Sequence, residues 1–266
     1  MRRPQRAEAL RALGCEVHRA DVLEPDTLVS PLDGASTAYY LVHSMGRGAD
    51  ADFAERDLRA AANFAEAAAT AGVGRIVYLG GLGEGSEHLA SRHQSGRVLM
   101  DGTVPVTYLR AAAVLGAGSE SFRTMLYLVR RLPVMVTPRW TSTRTQPIAV
   151  DDVLAYLVAA PDIDTLAGRE VEIGGPDVTT YAGMMDALAR ALGRPPRPRL
   201  AVPLLTPWLS SLWVGLVTPV DAGVARPLIE GLSTETVVRD PLAMREMDVE
   251  PMSLKEAMSL AVRESG

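Results

Sequence analysis

The sequence predicts an α/β protein, a parallel sheet with helices on both faces, followed by a smaller mixed C-terminal part. Three observations predict it. Short apolar runs with β-branched and aromatic content alternate with longer runs rich in Ala, Leu, Glu and Arg. The apolar runs stop at Asp, Ser or Gly, and the longer runs carry apolar residues at helical spacing. With 266 residues, 47% hydrophobic and 22% charged, the chain has enough apolar side chain to cover such a sheet as one large domain or a domain with a small annex. Strand and helix in alternation call for parallel pairing, because each helical crossover returns the chain to the same end of the sheet.

In chain order, "PQRAEALRAL" (4–13) reads as a helix and "EVHRADV" (16–22) as a strand. "TAYYLVHS" (37–44) is a second strand, and "FAERDLRAAANFAEAAATAG" (53–72) a helix closing on Gly72 as its C-cap. "GRIVYLGGL" (74–82) and "VTYLRAAAVLG" (106–116) are strands flanking the helix "SEHLASRHQSGRVLMD" (86–101). After Gly116 the pattern changes. "SFRTMLYLVRRLP" is a helix ended by Pro133, "QPIAVDDVLAYLVAAP" an extended entry to a helix capped by Asp151 or Asp152, and "REVEIGGP" a strand. "TTYAGMMDALARALG" is a helix capped by Thr179 or Thr180, and the Pro-rich "GRPPRPRLAVP" separates it from an apolar segment. The expected division is a core over residues 1–150 and a C-terminal part over 151–266 that lends the core a helix and a strand. In a parallel sheet ligands bind beyond the carboxyl ends of the strands, which places His43 and Ser44, Gly80 to Gly83, and Gly116 to Ser119 on one rim.

Charge excludes one class of partner. There are 27 basic and 32 acidic residues, a net charge of −5, with no basic run longer than "MRR", so no nucleic acid is expected. Cys15 is the single cysteine and permits no internal disulfide, and "MRRPQRAEALRALG" has no apolar core for a signal peptide, so a cytoplasmic location is expected. The segment 201–220, "AVPLLTPWLSSLWVGLVTPV", is uncharged and long enough to span a bilayer, but Pro203, Pro207 and Pro219 argue against a span. It is expected to wall a ligand pocket or form the dimer face of a homo-oligomer, with a membrane-surface contact as the other reading. His18, His43, His88 and His93 have no zinc spacing, and no G-x-S-x-G elbow is present, so neither a metal site nor a hydrolase is expected.

The run of "AYYLVHSM", "AGVGRIVYLGGLG", "HLASRHQSGRVL", "VTYLRAAAVLGAGSESF", "PRWTSTRTQPIAVDDVLAYL" and "EIGGPDVTTYAGMM" resembles the atypical short-chain dehydrogenase/reductase superfamily. The likeness is to its bacterial NAD(P)-binding members near the extended, epimerase-like and isoflavone-reductase-like (NmrA-like) branches, and it covers nearly the whole chain. The resemblance implies a Rossmann-like sheet with a C-terminal substrate-side subdomain, NADP or NAD as cofactor, and a small, apolar substrate.

The chain departs from that family twice. The glycine-rich turn that holds the pyrophosphate after the first strand is missing, and "MRRPQRAEALRAL" resembles the stretch after the second strand. By resemblance Arg2 and Arg3 meet the 2′-phosphate of NADP; read alone, they are two solvated residues. "GAGSES" and "GGLGEG" read as ordinary strand-end loops. Without its first strands the sheet would carry a gap of roughly 14 Å between "EVHRADV" and "TAYYLVHS". The expected fold is therefore N-terminally truncated: an upstream start is favoured, beside "EVHRADV" moving inward or another chain covering the edge.

Second, the family's Y-x-x-x-K pair is replaced by "HLASR". His88 and Arg92 hold that spacing, and Gly80 and Gly81 stand where the hydroxyl residue would be. His88 is then a candidate acid or base and Arg92 a fixed cation on ribose or phosphate, against the reading that both are solvated. The resemblance further assigns Asp21 and Val22 to adenine, and Leu41, Val42 and His43 to the nicotinamide-side ribose. Against these stand a helix N-cap for Asp21 and core for Leu41 and Val42. Asp57 and Asn63 fall where extended members keep a polar residue below the sheet; a buried structural hydrogen bond is the other reading of Asn63. Arg110 needs a partner if buried, with Asp151 or Asp152 at hand. Two functions remain: an NAD(P)-dependent oxidoreductase or epimerase with Trp208 and Trp213 on the substrate side, or a non-catalytic dinucleotide-binding sensor or assembly protein. A shortened chain that no longer binds cofactor is a third.

Overall fold

The structure, a computed structural model, describes residues 7–42, 52–84, 86–202 and 233–266. Its centre is a four-stranded parallel sheet built from Thr37–Tyr40 (β1), Arg75–Gly81 (β2), Val106–Ala111 (β3) and Arg169–Ile173 (β4), in the order β1-β2-β3-β4. Register pairs Thr37 with Arg75, Ile76 with Val106 and Thr107 with Arg169. The six longer helices are Asp52–Thr70 (α1), Glu87–Met100 (α2), Glu120–Arg131 (α3), Val150–Ala159 (α4), Tyr181–Ala191 (α5) and Leu254–Glu264 (α6).

Both faces of the sheet are covered, as alternation along buried strands requires. Tyr40, Ile76, Tyr78, Val106 and Tyr108 pack on one face with Ala61, Phe64 and Ala68 of α1 and Leu99 of α2. Val77, Leu109, Ala111, Val171 and Ile173 turn to the other, against Val153, Tyr156 and Leu157 of α4. A third cluster joins α3, α5 and α6 through Phe122, Leu126, Met184, Leu188 and Met258, with Leu115 and Ala149. Those last two lie in a short parallel pair, Val114–Leu115 with Ile148–Ala149, that ties this cluster to the end of the sheet.

Helix starts follow local chemistry. Ser86, Ser119 and Thr180 each accept a backbone N–H of the helix they open, so Thr180 rather than Thr179 caps α5. Gly72, at φ 74°, ends α1, and the N–H of Val73 donates to Ala68 O behind it. Helix α4 differs from expectation. Its N-cap is Ala149 without a side-chain bond, and Asp151 and Asp152 lie inside the first turn. Asp152 instead accepts the N–H of Met252, at 2.9 Å, and so pins the approach to α6.

"EVHRADV" is not a strand. Residues 15–20 carry no regular structure and a turn follows at 22–23, because an isolated extended segment gains no ladder bonds, and β1 pairs only with β2 among the described strands. The segment does not move inward to pair with β1. That strand also stops at Tyr40 rather than running to residue 44. The apolar segment, with Trp208 and Trp213, lies outside the described residues except at its first two positions. Both flanks are anchored: Arg199–Ala201 pairs in parallel with Met135–Thr137, and Thr236 bridges to Thr145. Among the described residues no helix is long and apolar enough to cross a membrane.

Candidate functional site

The rim beyond the carboxyl ends of β1, β2 and β3 is built from three loops. The first is the turn at Asp21. Asp21 Oδ1 accepts the N–H of Leu23 at 3.1 Å, and Thr27 Oγ1 accepts the N–H of Asp21 at 3.0 Å, so the carboxylate closes its own turn rather than capping a helix. Asn63, on α1, holds that turn in place: its Nδ2 donates to Val22 O at 2.9 Å. Beside the turn lies a cavity of about 340 Å³ lined by Leu23, Glu55, Arg56 and Arg59. Arg56 and Arg59 are exposed and occupy the first two turns of α1 on the side of Asn63. Asp57, between them, is buried.

The second loop follows β1. Leu41 and Val42 are 52% and 46% exposed, too open to be core. His43, Arg2 and Arg3 lie outside the described residues.

The third loop follows β2 and has the most detailed chemistry. A Cβ at Gly80 or at Gly96 of α2 would lie 2.6 Å from Tyr108 ring atoms, so the buried phenol of β3 passes between two glycines. A Cβ at Gly81 would meet Leu89 Cδ2 at the same distance. A side chain at Gly80 would run into the Tyr108 ring, and one at Gly81 would displace the end of Leu89. Tyr108 points its hydroxyl at His93 Nδ1, 2.9 Å away, while His93 Nε2 lies 2.8 Å from Gly83 O. A carbonyl oxygen only accepts, so Nε2 carries the proton and Nδ1 accepts from Tyr108. Arg110 Nη2 also donates to Gly83 O, at 3.2 Å, and its Nη1 donates to Glu170 Oε1 at 2.6 Å. The partner of Arg110 is thus Glu170 of the neighbouring strand β4, diagonal to it because the register pairs Arg110 with Glu172 and Tyr108 with Glu170, and not Asp151 or Asp152, which belong to α4.

Electrostatics follow from burial. Burial pushes the His93 ring below the ordinary 6.5, opposed by its bond to Gly83 and helped by the Arg110 charge. Burial raises the phenols of Tyr40 and Tyr108 out of the working range and that of Tyr78 to about 12, with Arg92 lowering and Asp57 raising the last. These tyrosines stack along the sheet, Tyr78 on Tyr108 at 4.8 Å between ring centroids and Tyr40 on Tyr78 at 5.8 Å, and serve as proton donors rather than bases.

His88 and Arg92 stand one turn apart in α2. The side chain of His88 is outside the described residues. Arg92 is half-buried; its carbonyl accepts the Tyr78 hydroxyl at 3.0 Å, and its Nε is buried with no hydrogen-bond partner among the described residues. His93 and Tyr108 were legible only indirectly. The signal was the pair of glycines, Gly80 in a strand and Gly96 in a helix, which mark a large side chain passing close to both backbones.

No family model matches the chain, and no curated protein matches it by sequence. Its fold is similar to several solved structures. An NADPH-dependent quinone oxidoreductase from Escherichia coli superposes with a TM-score of 0.76 at 18% identity, over 97% of this chain and 87% of that one. The same enzyme complexed with NADPH gives 0.75. A triphenylmethane reductase from Citrobacter sp. gives 0.76 at 16% identity, over 98% and 88% of the two chains. A nucleoside-diphosphate-sugar epimerase from Staphylococcus aureus gives 0.73 at 14% identity, over 97% and 88%. The chain shares the fold of these structures, a Rossmann-like parallel sheet with helices on both faces.

Proposed function

We propose that this chain binds NADP or NAD across the rim of its sheet and acts as an oxidoreductase or epimerase on an apolar small molecule. The observation that carries the reading is the Asn63–Val22 hydrogen bond, which fixes the Asp21 turn beside a cavity bearing two guanidiniums. The donor set suits the group. Leu23 offers an apolar surface to a base, and Arg56 and Arg59 offer cations to a phosphate. When bound, the nicotinamide would supply the hydride chemistry. Arg2 and Arg3 join the phosphate contact in this reading, with Asp21 and Val22 at the base and Leu41, Val42 and His43 toward the second ribose. His88 moves a proton to or from substrate, and the Arg92 guanidinium holds an anionic or hydroxyl oxygen. Gly80 and Gly81, at the end of β2, would meet the cofactor through backbone atoms alone, since Tyr108 and Leu89 stand where a side chain would go.

The replacement of Y-x-x-x-K by "HLASR" favours a second reading, dinucleotide binding without turnover. Titration with NADPH and NADH, by cofactor fluorescence and calorimetry, tests what both share. Micromolar affinity is expected, weakened about tenfold by Arg56→Ala with Arg59→Ala. Absence of binding at millimolar cofactor overturns both. Turnover lost in His88→Ala with cofactor affinity kept would separate enzyme from sensor.

A further inference from the structure

Acidic residues outnumber basic ones in the chain as a whole, 32 to 27, but two stretches reverse the balance. Residues 123–139 and 190–202 hold eight arginines and no Asp, Glu or Lys, which leaves 19 basic residues among all 32 acidic ones elsewhere. The fold brings the two stretches together. The first is most of α3 and the strand after it; the second is the end of α5 and the Pro-rich joint. Helices α3 and α5 share one apolar cluster, and Arg194 Nη1 donates to Arg130 O at 3.0 Å, so their C-terminal ends meet. Beyond that contact Met135–Thr137 and Arg199–Ala201 run side by side as a parallel ribbon.

Most of this charge is uncompensated. Arg123 and Arg199 hold Glu120 and Asp186, but no ion pair with a described residue engages Arg130, Arg131, Arg190, Arg194 or Arg197. The first four are exposed and Arg197 is half-buried. Cations in a last helical turn complement the helix dipole, which accounts for Arg130, Arg131 and Arg190. It does not account for Arg194 and Arg197, which lie past the end of α5. The ribbon adds an apolar element. Met135 is buried beneath it, so by strand alternation Val134 faces outward, as does Leu200, which sits beside Val136. Val134 is 44% exposed and Leu200 58%.

We propose that this end of the molecule docks on an anionic lipid bilayer, with the arginines on the headgroups and Val134 and Leu200 entering the interface. Cations ringing exposed apolar side chains are the pattern that such a surface selects. A free phosphate calls for guanidiniums that converge on one point. Here they are spread over two helix ends and a joint, with Arg131 laid over the Tyr127 ring and Arg194 on a carbonyl. The strand bearing Leu200 ends at Ala201, where the uncharged stretch with Trp208 and Trp213 begins in the sequence, so the apolar run continues from the same place. Screening confines each charge to roughly 8 Å at physiological salt, so the acidic remainder of the chain does not cancel the arginines. The proposal is independent of the dinucleotide reading.

Flotation of the whole chain with vesicles of phosphatidylcholine alone, or with one-third phosphatidylglycerol, tests it. Binding is expected to the anionic vesicles only, falling at least about tenfold as added salt shortens the screening length from about 10 to about 3 Å. Arg130→Gln with Arg131→Gln should weaken binding about tenfold, and the two Lys substitutions at the same positions should keep most of it. Arg19→Gln with Arg97→Gln, the same change of charge at exposed positions elsewhere, should leave it intact. Val134→Ser with Leu200→Ser should weaken binding several-fold with its salt dependence kept. The salt series on the parent chain reads the proposal even where a variant fails to fold. Equal binding to both vesicles, or binding to neither, overturns it. Displacement by millimolar inorganic phosphate at constant ionic strength would overturn it in favour of a free-anion site. Self-association lost in the Arg130, Arg131 variant, without vesicle binding by the parent, would overturn it in favour of an interface between copies of this chain.

Discussion

The side-chain amide of Asn63 donates to the carbonyl of Val22 at 2.9 Å, across 41 positions of sequence. This bond places a turn that pairs with no described strand against the helix that packs on β1, and so fixes one side of the candidate cavity. Replacing Asn63 by Ala should cost about 1 kcal/mol in urea unfolding and weaken cofactor binding. Asn63→Asp should do worse, because a carboxylate cannot donate to a carbonyl.

Gly80→Ala and Gly96→Ala should each destabilise the chain by about 1–3 kcal/mol, since the added methyl meets the Tyr108 ring and neither backbone can retreat. Gly118, around which a Cβ meets nothing within 4 Å, is the control. Thermal unfolding of the three variants should separate the first two from the third; equal melting temperatures would contradict the packing of Tyr108.

Arg110 and Glu170 should couple in a double-mutant cycle. Arg110 is 14% exposed and Glu170 38%, so the pair is partly screened, and a coupling of about 1 kcal/mol is expected. Glu170→Gln should recover part of it, because its amide oxygen still accepts from Nη1. Zero coupling would mean that the two carbonyls, Gly81 O and Gly83 O, satisfy Arg110 alone.

At the C-terminus, Ser253 caps α6 in a capping box with Glu256, and the Ser253 hydroxyl and N–H hold the Glu256 carboxyl below its ordinary 4.5. The folded value is depressed, so the contribution is present above pH 4.5 and is lost as pH falls through the folded value. Urea midpoints at neutral pH and near about pH 3 should therefore differ less in Glu256→Gln than in the parent chain. An unchanged difference would show that the box is open in solution.

Much of the fold is legible because it depends on local pattern. Alternation assigned the strands 75–81 and 106–111 and the helices around them, and single hydroxyl residues opened α2, α3 and α5 at Ser86, Ser119 and Thr180. The site is less legible. Leu41 and Val42 carry two readings, ribose contact by resemblance or core, and their exposure removes the second, while Asn63 makes the hydrogen bond that was one of its readings. The working partners of Arg110 and His93 were not foreseen.

By itself, the sequence determined which segments are helix or strand, in which order, and which side chains of a strand share a face. These follow from periodicities of 3.6 and 2 residues that any segment carries alone. Tertiary structure decided the rest. "EVHRADV" has strand composition but no neighbour to share a ladder, so it stays irregular; Gly80 is glycine because Tyr108, 28 positions later on the adjacent strand, needs its volume; and Arg110 meets Glu170 only because β4 arrives beside β3, one diagonal step from the residue opposite it. Pairing, packing and charge compensation require a second segment to arrive, and no local pattern records which one will.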